Sequence, residues 1–97
     1  MSFFAVINPT AEDAYWRQAF RDEPYYRAPL SYDDYSPAYR VGYTGPLRRE
    51  GSFESLEIVL RNDWEQVKGR SRIDWAQARP AIRAAWDRAM QQCEATA

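Results

Sequence analysis

The chain repeats itself, and that constrains its fold more than any other feature. Residues 31–43 read SYDDYSPAYRVGY and residues 74–86 read DWAQARPAIRAAW, at a constant offset of 43. Each segment has a cap-forming residue, an aromatic beside it, Pro-Ala in the middle, an Arg, a small residue and a closing aromatic. The stretches ahead of them also correspond, with WRQAF at 16–20 lying 44 residues before LRNDW at 60–64. A supersecondary unit used twice buries against its copy the apolar face it cannot bury alone. The expectation is an all-α fold of four main helices, arranged as two pseudo-symmetric helical hairpins around an aromatic core.

The spacing within each copy supports this. Tyr35, Tyr39 and Tyr43 recur every fourth residue, as do Leu56, Leu60 and Trp64, and Ala78, Ile82 and Trp86. Each triplet therefore lines one stripe of a helix, and the stripes form the core. Ala38 and Gly42 in the first copy, and Ala81 and Ala85 in the second, are small residues one turn apart that let helices approach closely beneath the large rings. Pro37 and Pro80 fall about six residues after their caps, where a ring removes a backbone hydrogen bond. Each second helix is thus expected to begin with a separate turn or to bend near its proline.

Capping signals set the element boundaries. Thr10 with Asp13 marks a first helix running to about Asp22, with Glu12 and Asp13 suited to its positive end. Ser31 with Asp34 marks the second, Ser52 the third and Asp74 with Gln77 the fourth, with Ile73 placed to staple onto Ala78. Gly69 ends the third helix, because glycine takes the left-handed cap conformation without penalty. The fourth helix is expected from Trp75 to about Gln92. Residues 1–9 form an N-terminal extension, residues 10–92 a single helical domain with copies at about 10–45 and 52–90, and residues 93–97 a tail. In the extension, Phe3, Phe4, Val6 and Ile7 are expected to dock partly on the core.

Composition is consistent with one folded domain of 97 residues. Leu, Ile, Val and Phe supply only 16 positions, but 4 Trp and 7 Tyr add the missing bulk, and the net charge of -1 is too small to hold the chain unfolded. There is no His, which excludes histidine triads, histidine metal ligands and a histidine pH switch. The lone cysteine, Cys93, cannot form an internal disulfide and falls in the polar tail, where it is expected to be inert. No run is long enough for a membrane span, so a cytoplasmic location without membrane contact is expected.

The pattern Y-x-D-Y-x-P-A-Y-R-x-G-Y over Tyr32 to Tyr43 is one of three motifs that resemble a family of small bacterial proteins of uncharacterised function. The others are the S-F and L-R-x-D-W-E motifs of Ser52 to Glu65 and the segment Trp75 to Trp86, which closes on A-x-x-A-A-W. The resemblance covers roughly residues 13–88. It implies a stress-associated accessory role and defines no catalytic or binding residue.

The chemistry-bearing side chains give a short list. The adjacent acids Glu12/Asp13, Asp22/Glu23 and Asp33/Asp34 point about 100° apart on a helix, which suits helix-start or solvated charges better than paired catalytic carboxylates. No calcium loop or phosphate-cradling glycine loop is present. The sequence therefore names no catalytic residue, no metal ligand and no cofactor. Two features suit binding. All seven tyrosines lie between Tyr15 and Tyr43, and Tyr25, Tyr26, Arg27, Tyr32 and Tyr35 are expected to form a partly exposed aromatic patch for a protein partner or a second subunit. The alternative is a nucleic-acid face built from Arg48, Arg49, Lys68, Arg70 and Arg72. Against it stands the simpler use of such cations to offset helix C-termini. The favoured reading is a non-catalytic interaction or accessory protein.

Overall fold

A computed structural model describes residues 7–95 of the chain, with side chains to residue 93. Its helices are α1 (Pro9–Ala19), α2 (Tyr32–Arg48), α3 (Glu57–Val67) and α4 (Trp75–Ala95), with a 3-10 turn at Phe20–Asp22 extending α1. No strand occurs among the described residues. The all-α fold of four helices with an aromatic core is therefore as expected.

The two long helices, α2 and α4, form the central pair, and α1 packs on α2. The two shorter helices do not pack equivalently: α3 lies more against α2 than against α4, the helix that follows it. The seam between α2 and α4 is made by small residues. Ala38, Ala81 and Ala85 are fully buried, and a Cβ at Gly42 would fall on the Ile82 carbonyl oxygen and within 2.6 Å of the Ala85 Cβ. Beside this seam the three stripes are buried as their spacing predicts: Tyr35, Tyr39 and Tyr43, then Leu60 and Trp64, then Ala78, Ile82 and Trp86. Only Leu56, at the start of the second stripe, is half-buried. Trp16 stacks on Tyr39 with ring centroids 4.5 Å apart, and Trp64 packs against Trp75 at 6.3 Å.

Both long helices start on reciprocal caps. Asp34 accepts from the Ser31 amide at 3.0 Å, while Gln77 and Asp74 exchange bonds of 3.1 and 2.9 Å. Ile73, just before the second cap, is buried, as is Ala78. With its first turn fixed and its flanks in the core, each helix runs unbroken through its proline. The expected separate turn at Pro37 and Pro80 does not form.

Three boundaries differ from expectation. Asn8, not Thr10, caps α1: its Oδ1 accepts from the Thr10 and Ala11 amides at 3.0 and 3.2 Å. Pro9 then takes the first helical position, where its missing N–H costs nothing and its fixed φ suits the helix. Ser52 caps an isolated turn, its Oγ accepting from the Ser55 amide at 3.1 Å, and α3 starts only at Glu57. Phe53 is buried at that turn instead of lying on a helix. The third helix does end before Gly69, whose φ of 53° is left-handed. Lastly, α4 continues to Ala95, so Cys93 is not in a polar tail but buried in the helix. Ile7 is buried against the core, whereas Phe3, Phe4 and Val6 lie outside the described residues.

Two carboxylates are also buried. Glu12 receives Arg88 Nε and Gln92 Nε2, each at 3.2 Å. Asp34 receives the Arg72 amide at 3.0 Å and Arg72 Nη2 at 2.7 Å, and its backbone carbonyl accepts the Ser71 hydroxyl. Both acids stand at helix starts, as expected, but they are buried and also tie the first copy to the second.

Candidate functional site

The connector between α1 and α2 folds back on the core because its tyrosine hydroxyls find partners there. The Tyr25 and Tyr39 hydroxyls are 2.7 Å apart, Tyr26 donates to the Leu30 carbonyl at 3.0 Å, and the Arg27 amide donates to the Tyr35 hydroxyl at 3.2 Å. Tyr32 donates to Asp13 Oδ1 at 2.7 Å. Burial pushes the Tyr25, Tyr32 and Tyr39 phenols well above their ordinary range; the neighbouring Asp13 adds to the effect at Tyr32, and the hydrogen bond shared with Tyr25 adds to it at Tyr39.

These bonds correct the expected aromatic patch. Tyr32 and Tyr35 are buried, at 7% and 0% exposure, because each hydroxyl is satisfied inside the fold and the ring beneath it can be desolvated without loss. Tyr25 and Tyr26 are half-buried, and Arg27 is exposed. With Pro24, these three form one wall of a groove of about 360 Å³. The other wall is the first turns of α4, contributed by Asp74, Ala76, Gln77 and Pro80. Sequence reasoning missed this second wall because Asp74 and Gln77 read as capping residues, which they are. Nothing local signals that the cap faces the tyrosine connector.

The basic residues do not gather into one surface. Arg72 is held at the N-terminal turn of α2 by Asp34. Arg48 and Arg49 lie at the other end of that helix, 14 residues on from Asp34 in the case of Arg48, or about 20 Å at 1.5 Å per residue. Arg49 is in a bidentate pair with Asp63, and Lys68 pairs with Glu65 at 2.7 Å. Three of the five cations therefore already face carboxylates. Arg48 lines a small cavity of about 160 Å³ with Arg40, Val41, Thr44, Asp63 and Val67, and Arg70 is exposed in the loop before α4.

A third groove, of about 500 Å³, runs between α1 and α2 and is lined by Pro9, Thr10, Asp13, Arg17, Asp33, Ser36, Arg40 and Tyr43. Asp13 is occupied by the Tyr32 hydroxyl and by Arg17 at 3.4 Å. Burial raises the Tyr43 phenol, and the Arg40 guanidinium beside it partly opposes that rise. No helix among the described residues is long and apolar enough to cross a membrane. Comparison with family models, with curated proteins and with solved structures gives no match.

Proposed function

We propose that this chain is a small non-catalytic accessory protein of the bacterial cytoplasm that binds a protein partner through the groove between the tyrosine connector and α4. The observation that carries this reading is the groove itself. Tyr25, Tyr26 and Arg27 face Asp74, Ala76, Gln77 and Pro80 across a space of about 360 Å³. Half-buried tyrosine rings held by hydrogen bonds to the fold give rigid contact area at low entropic cost, and Arg27 and Asp74 add polar groups of both signs at the rim. The likeness of the Tyr32–Tyr43 motif to small bacterial stress-associated proteins supports an accessory role.

The test fills the groove without touching the core. Ala76 is exposed on α4 and Arg27 on the connector, so A76R and R27E should leave the melting temperature unchanged. Affinity capture from the native cell is run with the parent chain and both variants. A protein retained by the parent and lost with A76R and R27E is the expected result. Sedimentation of the same three chains identifies the partner as a second copy if the parent self-associates and the variants do not. An identical capture profile and an identical sedimentation coefficient for all three refute the reading.

A further inference from the structure

The two copies treat one arginine differently. In the second copy, Arg83 on α4 is saturated: Nη1 meets the Glu54 carboxylate at 2.6 Å, Nε meets Asp87 at 3.1 Å, and the guanidinium lies over the Phe53 ring at 4.9 Å. These contacts hold the Glu54 carboxyl below its usual range. At the offset of 43, its counterpart in the first copy is Arg40 on α2, and the counterpart of Asp87 is Thr44. At the offset of 44 that relates α1 to α3, the counterpart of Glu54 is Thr10 and that of Phe53 is Pro9. In the structure Arg40, Thr10 and Pro9 line one groove, while Arg83, Glu54 and Phe53 make one cluster, although Pro9 and Thr10 open α1 and Phe53 and Glu54 lie in the turn ahead of α3.

Both acids have thus become threonines while the arginine remains. Thr44 turns its hydroxyl to the Arg40 backbone carbonyl at 2.6 Å. No carboxylate among the described residues forms an ion pair with Arg40, which is exposed at the wall of the 500 Å³ groove. The Tyr43 phenol stands beside it where the second copy has the Trp86 ring, which offers no such oxygen. We propose that the groove at Arg40 is a binding site for a single carboxylate, supplied by an acidic side chain of a peptide, in the place that Glu54 fills on Arg83. Arginine receives a carboxylate through two parallel N–H bonds, which gives geometric selectivity as well as attraction. The other charges in the groove define the class further. Asp13 is already held by Arg17 and Tyr32, and Asp33 stands seven residues before Arg40, two turns or about 10 Å along α2. A polyanion lying along the groove would run past both acids, whereas a single carboxylate can sit on the Arg40 guanidinium alone. The site is separate from the connector groove and does not depend on it.

The probe is the blocked peptide acetyl-Ala-Glu-Ala-amide, titrated into the full chain at low salt while the arginine Nε–Hε signals are followed by nuclear magnetic resonance. The glutamine peptide and inorganic phosphate at equal ionic strength serve as comparisons. A saturable shift at Arg40 with the glutamate peptide alone is expected. R40Q removes the reporting signal, so its binding is followed by the backbone amide shifts of Tyr43 and Thr44, and it should be weaker by about tenfold or more. The variant T10E/T44D keeps Arg40 but restores the two carboxylates of the second copy, and it too should abolish the shift, with circular dichroism confirming the fold. The proposal is overturned by the absence of a saturable shift, by equal response to the glutamine peptide, or by undiminished binding in R40Q or T10E/T44D. Tighter binding of phosphate than of the glutamate peptide overturns the ligand class.

Discussion

Replacing Gly42 by alanine sets two effects of opposite sign against each other. Alanine is the better helix former by about 1 kcal/mol in a helix interior, so propensity alone predicts a more stable chain. The structure predicts the reverse. The new Cβ would lie 2.6 Å from the Ala85 Cβ, against about 3.5–4.0 Å for carbon atoms in ordinary contact, so α2 and α4 must part by roughly 1 Å. It would also fall on the Ile82 carbonyl, a backbone atom that no rotamer change can move. Parting by that amount forfeits about a quarter to a half of each dispersion contact along the seam, where Ala38, Tyr39, Ala81 and Ile82 are fully buried. Overpacking of this kind costs about 1–3 kcal/mol or more. Because the clash is with backbone, the upper end of that range applies, and with the helix-forming gain subtracted G42A should be less stable by about 2 kcal/mol, which lowers Tm by roughly 10–15 °C in a domain of this size. Thermal unfolding by circular dichroism measures it. A85G added to G42A should recover only part of the loss, because the carbonyl clash remains. A G42A chain that melts at or above the parent would show that the helices do not approach as closely as the structure places them.

Three further outcomes follow from buried groups. Asp34 is buried, and its bonds to Arg72 hold its carboxyl far below the usual range; its contribution is therefore present above about pH 4 and fades as pH falls further. The Arg72 side chain is 59% exposed and solvent screens the pair, so D34N should cost only about 1–2 kcal/mol at neutral pH, and the deficit should narrow in denaturant titrations under acid. Trp64 and Trp86 are buried at 1% and 4% exposure, and truncation of either to alanine should remove about 3–5 kcal/mol; a Tm within a degree or two of the parent would mean that the helical phases are wrong. The phenols of Tyr25, Tyr32, Tyr39 and Tyr43 are raised by burial, so their stabilisation is complete below about pH 10 and is lost as pH rises beyond it. Phenolate absorbance from these four should therefore appear together with the loss of helical dichroism, and ionisation of all four in a chain that keeps its helices would refute their burial.

The features legible in the sequence were those set by local periodicity. Stripes at a spacing of four fixed which rings enter the core, reciprocal caps fixed where α2 and α4 begin, and Gly42 opposite Ala85 followed from small residues at matched places in the two copies. Misread features were settled by partners far along the chain. Asp34 meets Arg72 38 residues away, and Glu12 meets Arg88 76 residues away, so neither burial has a local signature. Two members of the expected tyrosine patch, Tyr32 and Tyr35, are buried for a related reason. A hydroxyl is equally suited to solvent and to a backbone partner, and Tyr35 satisfies the Arg27 amide while Tyr32 reaches Asp13. Only the geometry of the connector decides between those fates. The arginine shared by the copies was visible in their alignment, but that Arg40 lacks the carboxylate its counterpart holds emerged only when the Glu54–Arg83 pair was seen in space.

The buried charges also bear on why the two copies differ at all. Two similar helical segments can pair within a chain or between chains, and identical segments would have no preference beyond proximity. Here both buried carboxylates lie in the first copy and both guanidiniums that meet them lie in the second. At the counterpart positions the second copy has Gln77 for Asp34 and Leu56 for Glu12, while the first has Pro29 for Arg72 and Gly45 for Arg88. A first copy packed on another first copy would therefore bury its two carboxylates against a proline and a glycine. Removing the partner of a buried charge is strongly destabilising, even where the pair itself adds little to stability. A pairing of like segments would therefore leave buried charges unmatched, a cost that the native pairing of unlike segments does not carry.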